Sequence, residues 1–288
     1  MNLKGRTIFM SGGSRGIGLA IALRAAADGA NIAIAAKTVE AHAKLEGTIH
    51  TAAAAIEEAG GKALALQCDI RDEAQVMAAV DRTVERFGGI DVAINNASAI
   101  QLTGTLATDM KRYDLMHQIN TRGTFLVSQK TLPHLKKSPH PHILNISPPL
   151  DMSAKWFARH TAYTMAKYGM SMCVLGMAEE FRKDGIGVNA LWPITAIDTA
   201  AVRNVLGGDQ MALMSRLPTI MADSAHIVLC RDPKTCTGNF FIDEEVLRAE
   251  GISDFTMYQH EGATQLAGDF FVPDAVFERS PSKIFRAY

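Results

Sequence analysis

The chain has 288 residues, 48% of them hydrophobic, and a formal net charge of -1. That length suits one large α/β domain with a sizeable core, and the charge balance gives no field for nucleic acid or an anionic membrane. Four cysteines, Cys68, Cys173, Cys230 and Cys236, show no C-x-x-C spacing; the first two read as small core residues, and a Cys230–Cys236 bridge would need an oxidising compartment.

Met1 to Lys4 runs straight into an apolar strand at 7–11 with no signal-peptide pattern. No apolar run of about 18 residues could span a bilayer. Arg286-Ala287-Tyr288 is not a peroxisomal tripeptide. The cytoplasm is the expected address.

After the first strand comes Ser11-Gly12-Gly13-Ser14-Arg15-Gly16-Ile17-Gly18, then an alanine-rich helix over 16–28 that ends at Gly29. Strand, glycine turn and helix open a βαβ unit. The glycines let the backbone turn sharply and approach a pyrophosphate, and the helix N-terminus offers N–H groups to the phosphates. Further strands are expected at 31–36, 63–68, 91–95, 142–146, 187–191 and 238–242. Helices are expected near 48–59, 73–87, 109–132 and 162–183. This alternation predicts a single Rossmann-type, doubly wound parallel sheet of about seven strands with helices on both faces. Ligands in such sheets bind outside the carboxyl ends of the strands. Residues 194–226 show no clear period. Residues 1–243 form the predicted domain, and 244–288 an extension that packs on it or on a neighbouring subunit. The stretch from His134 to His142 reads as a solvated loop before a strand, and His140 and His142 lack the further ligands a metal would need. No metal is expected.

Tyr163-Thr164-Met165-Ala166-Lys167 sets a phenol and an ammonium on one face of a helix. A fixed positive charge favours the phenolate, so the hydroxyl can exchange a proton near neutral pH. The glycine spacing, G-x-x-x-G-x-G from Gly12 to Gly18, and the Tyr163–Lys167 pair together resemble the short-chain dehydrogenase/reductase family, over about the first 243 residues. Asp69-Ile70, Asn95-Asn96-Ala97-Ser98, Asn120 and Pro193 fall in the family's order, with Ser98 and Ile194 replacing family glycines. The segments Leu45-Glu46-Gly47-Thr48-Ile49, Ile143 to Leu150, Ala190 to Pro193 and Thr237 to Glu244 resemble a narrower subgroup, whose animal members carry an added sterol-carrier domain. The chain is expected to lack that domain.

The resemblance implies Tyr163 as acid/base, Lys167 as its tuning cation and ribose ligand, and Asn120 in a proton relay. It implies Ser147 as the group that polarises a carbonyl, although Pro148 stands where the family's second serine would be and a structural Ser–Pro turn is a rival reading. Gly12, Ser14, Arg15, Gly16, Ile17, Gly18, Asp69, Ile70, Asn96, Ala97, Ser98, Pro193, Thr195 and Thr199 would contact the cofactor. The second strand ends in Ala35-Ala36-Lys37, without the acid that would bind a ribose 2′-hydroxyl. Arg15 and Lys37 instead suit a 2′-phosphate, which points to NADP(H).

Trp156, Phe157, Trp192 and Met211, Met214 and Met221 suggest an apolar roof over a carbonyl or alcohol substrate. Plain core packing explains them equally well. The expected function is an NADP(H)-dependent oxidoreductase. The alternative is an NADP-binding scaffold or sensor with little catalysis. The 162–183 helix is apolar on more than one face, which predicts a homodimer or homotetramer, or else a cover formed by the C-terminal tail.

Overall fold

A computed structural model describes residues 2–41 and 46–286. Its centre is a sheet of seven parallel strands: β1 (Thr7–Ser11), β2 (Asn31–Ala36), β3 (Lys62–Gln67), β4 (Val92–Asn95), β5 (His142–Ile146), β6 (Gly187–Trp192) and β7 (Phe240–Ile242). Their order in the sheet is 3-2-1-4-5-6-7. This is the expected α/β architecture.

Side chains alternate across a strand, so each strand feeds two cores. Ile8, Met10, Ile32 and Ile34 face one layer, with Ile21, Ala25 and Val228. Phe9, Ala33 and Ala35 face the other, with Val76, Val127 and Val174. Helices α1 (Gly16–Ala27), α2 (Ile49–Glu58) and α8 (Thr219–Cys230) carry the first layer. Helices α3 (Glu73–Phe87), α5 (Gly123–Leu135) and α6 (Thr161–Glu180) carry the second. Among the described residues no helix is long and apolar enough to cross a membrane.

Three expectations change. The helix expected over 109–132 is two helices, α4 (Met110–His117) and α5, joined by a π-helical turn, Gln118–Arg122. The unpatterned 194–226 region contains α7 (Gly208–Leu213) and most of α8. His142 is fully buried rather than solvated, and burial pushes its imidazole down to about 3. His140 and His142 bond the carbonyls of Leu229 and Arg231 at the end of α8. The four cysteines are free thiols. Leu45, Ala287 and Tyr288 lie outside the described residues.

Beyond β7 the chain adds α9 (Asp243–Ala249), α10 (Asp274–Arg279) and a short parallel pair, β8 (Leu266–Ala267) and β9 (Ile284–Phe285). This extension packs on its own domain. Arg216, fully buried, donates to Glu244 Oε2 and Ser282 Oγ, both at 2.6 Å. A buried ion pair is costly to break from one side, because the remaining charge has no water. The pair therefore fixes where the extension can sit.

Candidate active site

The carboxyl ends of β1, β2, β3 and β4 border a cleft of about 560 Å³. Twelve of the sequence-predicted residues line it: Gly12, Ser14, Arg15, Gly16, Ile17, Lys37, Asp69, Ile70, Asn96, Ala97, Ser98 and Thr199. Thr38, Ala200 and Asn204 also line it, and no motif marks them in the sequence. The segment after β6 thus walls this cleft at its start.

The glycines are required by space as well as by turn geometry. Gly12 has φ +73°, and a Cβ there would stand 2.8 Å from the Ala97 Cα. A Cβ on Gly18 would meet the Asn96 amide at 2.5 Å. The Asn96 amide in turn donates to the Gly12 carbonyl at 2.7 Å. Ser11 Oγ accepts from the backbone N–H groups of Asn96 and Ala97. Loop and strand end thus brace each other. Helix α1 begins with no side-chain cap and no acid in its first turn, so its N–H groups are available to an anion. These features fit a dinucleotide pyrophosphate.

The two expected phosphate cations are already engaged. Arg15 Nη2 donates to the Gly47 carbonyl at 2.8 Å, while its buried Nε has no hydrogen-bond partner among the described residues. Lys37 Nζ lies 3.6 Å from Asp69 Oδ2. Asp69 is held down to about 2, chiefly by its bonds from Arg71 with a smaller share from Lys37.

The catalytic candidates lie at the end of β5, on α6 and in the π-helical turn, and none of them lines the open cleft. Their positions are fixed by a buried amide chain. Asn95 donates to Ser128 Oγ and Asn145 Oδ1, and Asn145 donates to the Met170 carbonyl. Thr121 Oγ1 donates to the Ala166 carbonyl. Gly169 lies so close to Thr121 that no Cβ fits. Helix α6 therefore sits at a set height above β4 and β5.

On that helix, Lys167 is almost fully buried. Its Nζ donates to the Ile146 carbonyl at 2.8 Å and lies 4.9 Å from the Trp192 ring centroid. Burial pushes the ammonium down to about 7, against the pull of Asp269. Ser147, next to Ile146, is fully buried and its Oγ has no hydrogen-bond partner among the described residues. Thr195 Oγ1, after the buried Pro193, is in the same state. Two hydroxyls buried without partners carry a desolvation cost that a bound ligand would remove. The loop after Ser147 runs to a 3-10 turn, Ala154–Trp156. It is closed by Trp156 Nε1, which donates to Asp151 Oδ2, and by the Tyr168 hydroxyl, which donates to the Asp151 carbonyl.

Asn120 lies in the π-helical turn. Its side chain spends both ends on Ala99, accepting from the N–H at 2.8 Å and donating to the carbonyl at 3.0 Å. The side-chain amide therefore anchors the segment that follows β4. π-Turns inside helices occur often at functional sites.

Tyr163 is buried in an aromatic cluster with Trp156, Tyr168, Trp192 and Phe271. Of the residues expected to form a roof, Trp156 and Trp192 lie in this buried cluster and Phe157 packs against it. The methionines do not: Met211 and Met214 pack on Ala196, Val202 and Ala267, and Met221 lies in the α1 and α8 layer. The sequence assigns no site role to Phe271, Asp269 or Asp243. Asp243 accepts from the Ile194 N–H, and the Asp269 N–H donates to the Ile194 carbonyl. Burial pushes the carboxyls of Asp243 and Asp269 up to about 6 and about 7. Among the described residues no group of three or more metal-ligating side chains gathers.

A model of the short-chain dehydrogenase family matches residues 6–208. Hydroxysteroid dehydrogenase-like protein 2 of Danio rerio is 60% identical over 270 residues, covering 94% of this chain and 64% of that protein. The Homo sapiens relative of the same name is 56% identical over 283 residues, covering 97% and 67%. This chain thus spans about two thirds of these relatives. Among solved structures, a short-chain dehydrogenase from Mycobacterium thermoresistibile is 52% identical, with a TM-score of 0.89 and 98% of each chain covered. A candidate dehydrogenase from Xanthomonas campestris is 54% identical, with a TM-score of 0.92 over 95% of this chain and 100% of that one.

The carboxyl of Asp269 gives the site a pH signature. Its folded pKa lies above the ordinary carboxylate value. Its stabilising share is therefore full below about pH 4 and is lost as pH rises to about 7. Asp269→Asn stays neutral throughout. The melting temperature of the unliganded protein should fall relative to that variant between about pH 4 and about pH 7. Parallel melting curves would show that Asp269 does not titrate there.

Proposed function

The chain belongs to the short-chain dehydrogenase/reductase family, whose members are nicotinamide-dependent oxidoreductases, and we propose that it uses NADP(H) to interconvert a carbonyl and an alcohol on an apolar small molecule. The observation that carries this reading is the set at the carboxyl end of β5. The buried Lys167 ammonium is bonded to Ile146, and the unpaired Ser147 hydroxyl is adjacent in sequence. Tyr163 lies one turn away on the helix that carries Lys167.

The roles follow from chemistry. Ser147 Oγ donates to the substrate oxygen and polarises the carbonyl. The Tyr163 hydroxyl gives that oxygen a proton in reduction and takes it back in oxidation. Lys167 favours the phenolate by its charge and reaches toward the cofactor ribose. A bound nicotinamide supplies or takes the hydride at the carbonyl carbon. Thr195 is the partner for its carboxamide, and the glycine loop and α1 hold the pyrophosphate. Asn120 supports the relay behind Lys167 by fixing the π-turn.

Ala35-Ala36 at the end of β2, the unpaired Arg15 Nε and the exposed Lys37 support NADP(H) over NAD(H). The cytoplasm is the proposed location. The enclosure of Tyr163, at 5% exposure, favours the second reading, a nucleotide-binding scaffold with little turnover.

One substitution separates the two readings. Tyr163→Phe should lower turnover of a carbonyl by about 100-fold or more and leave NADPH affinity nearly unchanged. An unimpaired variant would end the catalytic assignment. In the cofactor test, Lys37→Asp should weaken NADPH relative to NADH by roughly 10- to 100-fold, the scale of one charge-assisted hydrogen bond. Equal affinity of the unmodified protein for both cofactors in a titration would refute the preference.

We also propose a homo-oligomer, dimer or tetramer. Met165, Met172 and Leu175 on α6 and Phe125 on α5 are about half exposed, whereas Phe271 of the C-terminal extension packs against Tyr163 and Tyr168, and Phe255 joins the α1 and α8 layer. Light scattering at micromolar concentration should give a multiple of 31.1 kDa, and Met172→Glu with Leu175→Glu should reduce it. A monomeric mass for the unmodified protein would contradict this.

A further inference from the structure

The cleft at the ends of β1 to β4 is not lined by cations alone. Among the described residues, its charged lining side chains are Arg15, Lys37 and Asp69. The carboxylate stands against the use proposed for the other two. An anion beside Lys37 should repel a 2′-phosphate and draw the ammonium to itself. The Asp69 side chain is 19% exposed, so water and salt screen it only in part.

Arg71 engages that carboxylate from outside. It lies in the turn before α3 and is not among the residues that line the cleft. Its Nε donates to Asp69 Oδ1 at 3.0 Å and to Oδ2 at 3.1 Å, and its Nη2 to Oδ2 at 2.5 Å. Its backbone N–H adds a bond to Oδ1 at 3.1 Å. A carboxylate has about four lone-pair sites, and Arg71 addresses them all. Lys37 Nζ stays 3.6 Å from Oδ2, beyond hydrogen-bond length, and its side chain is 57% exposed. A fork of guanidinium bonds holds a carboxylate more firmly than a loose ammonium does. Asp69 is therefore committed to Arg71, and Lys37 is held to it by charge alone. The turn itself does not depend on the Arg71 side chain. The Asp72 N–H donates to the Asp69 carbonyl at 2.9 Å, the Asp72 side chain caps α3, and the Arg71 carbonyl accepts from Arg122 Nη1 at 2.7 Å.

We propose that Arg71 is a positioning residue for cofactor selection: by engaging Asp69, it leaves Lys37 available to a 2′-phosphate. Arg15, Lys37 and Arg71 against Asp69 leave this end of the cleft two net positive charges. Without the Arg71 charge one remains, and Lys37 becomes the nearest cation to Asp69. The ammonium then closes on the carboxylate, and an arriving phosphate meets a cation already paired. Arg71 touches no cofactor in this scheme; it acts through Asp69. The inference deepens the NADP(H) reading and rests on it.

The test titrates NADPH and NADH, by calorimetry, into the unmodified protein and into Arg71→Gln, Arg71→Lys, Asp69→Asn and the double variant Asp69→Asn with Arg71→Gln. The readout is the ratio of the two dissociation constants. Effects on the adenine, the pyrophosphate or the fold as a whole act on both cofactors and cancel in that ratio. Arg71→Gln should lower the preference for NADPH by about three- to tenfold, the scale of one partly exposed charge at short range. Arg71→Lys keeps the charge without the fork and should lose less. Asp69→Asn removes the anion that Arg71 answers. In that background the further loss of Arg71 should change the ratio by less than about twofold, the coupling expected of two side chains that act as a pair.

An unchanged ratio in Arg71→Gln would overturn the proposal. So would an equal loss with and without the Asp69 carboxylate, because Arg71 would then act on the cofactor by its own charge. The preference of the unmodified protein is a separate result. Equal affinities there refute the NADP(H) reading, whereas the shift caused by Arg71→Gln is measured from any starting ratio and still decides the role of Arg71.

Discussion

The constraint on which this molecule turns is a buried ammonium. Lys167 is 2% exposed, and a cation removed from water must find compensation or lose its proton. The compensation is partial: one carbonyl from Ile146, the Met170 sulfur at 3.3 Å, the face of Trp192, and the pull of Asp269. This keeps the group poised close to neutrality, where small changes in its surroundings change its charge. Much of the architecture serves to hold it there. The chain of Asn95, Asn145 and the Met170 carbonyl fixes α6 against β4 and β5, and Thr121 fixes it against the π-turn. None of these side chains needs to touch a substrate to matter for catalysis.

How much of this the sequence reveals depends on whether the physical cause is local. The parallel strands are legible because both faces are buried, so the apolar runs are continuous; only ends move, as where β3 begins at Lys62 opposite Asn31. The glycine loop is legible because its demands on space and φ fall within a few residues. Helix α8 is not. Its buried residues, Ile220, Met221, Ala222, Ser224, Ala225, Val228 and Leu229, occupy several faces, because it packs beside α1 and α9 at once. An amphipathic period cannot form when polar positions are also covered. The π-turn is equally hidden, since it depends on how Asn120 meets Ala99 across 21 residues of chain.

The catalytic end shows the same limit more sharply. The Tyr163–Lys167 spacing marks a helix face but does not show what stands against it. Asp269 and Phe271 arrive from about a hundred residues downstream, through pairing with the segment after β6. Their neighbours in sequence form no motif. The charge pattern is misleading in a similar way: Arg15 and Lys37 read as free cations, whereas the fold gives each a partner, the Gly47 carbonyl and Asp69. A ligand phosphate would compete with those partners, so its binding energy is a difference between two arrangements rather than a simple gain.

These placements divide the work along the chain. The residues that line the cleft lie within the first 208, where the family model matches. The aromatic cluster around Tyr163 includes residues beyond them. The two regions are joined by the Gly268 strap on Thr195 and by the backbone of Arg216, which pairs with Ala196 and Asp198 while its side chain holds Glu244 and Ser282. Arg216 sits between the cofactor-side segment and the extension, and its Nε and Nη1 lack partners among the described residues. A group held in that state tolerates little displacement, because each lost bond leaves more of a charge unsolvated. The extension is therefore pinned at its base by charge and at its tip by aromatic packing.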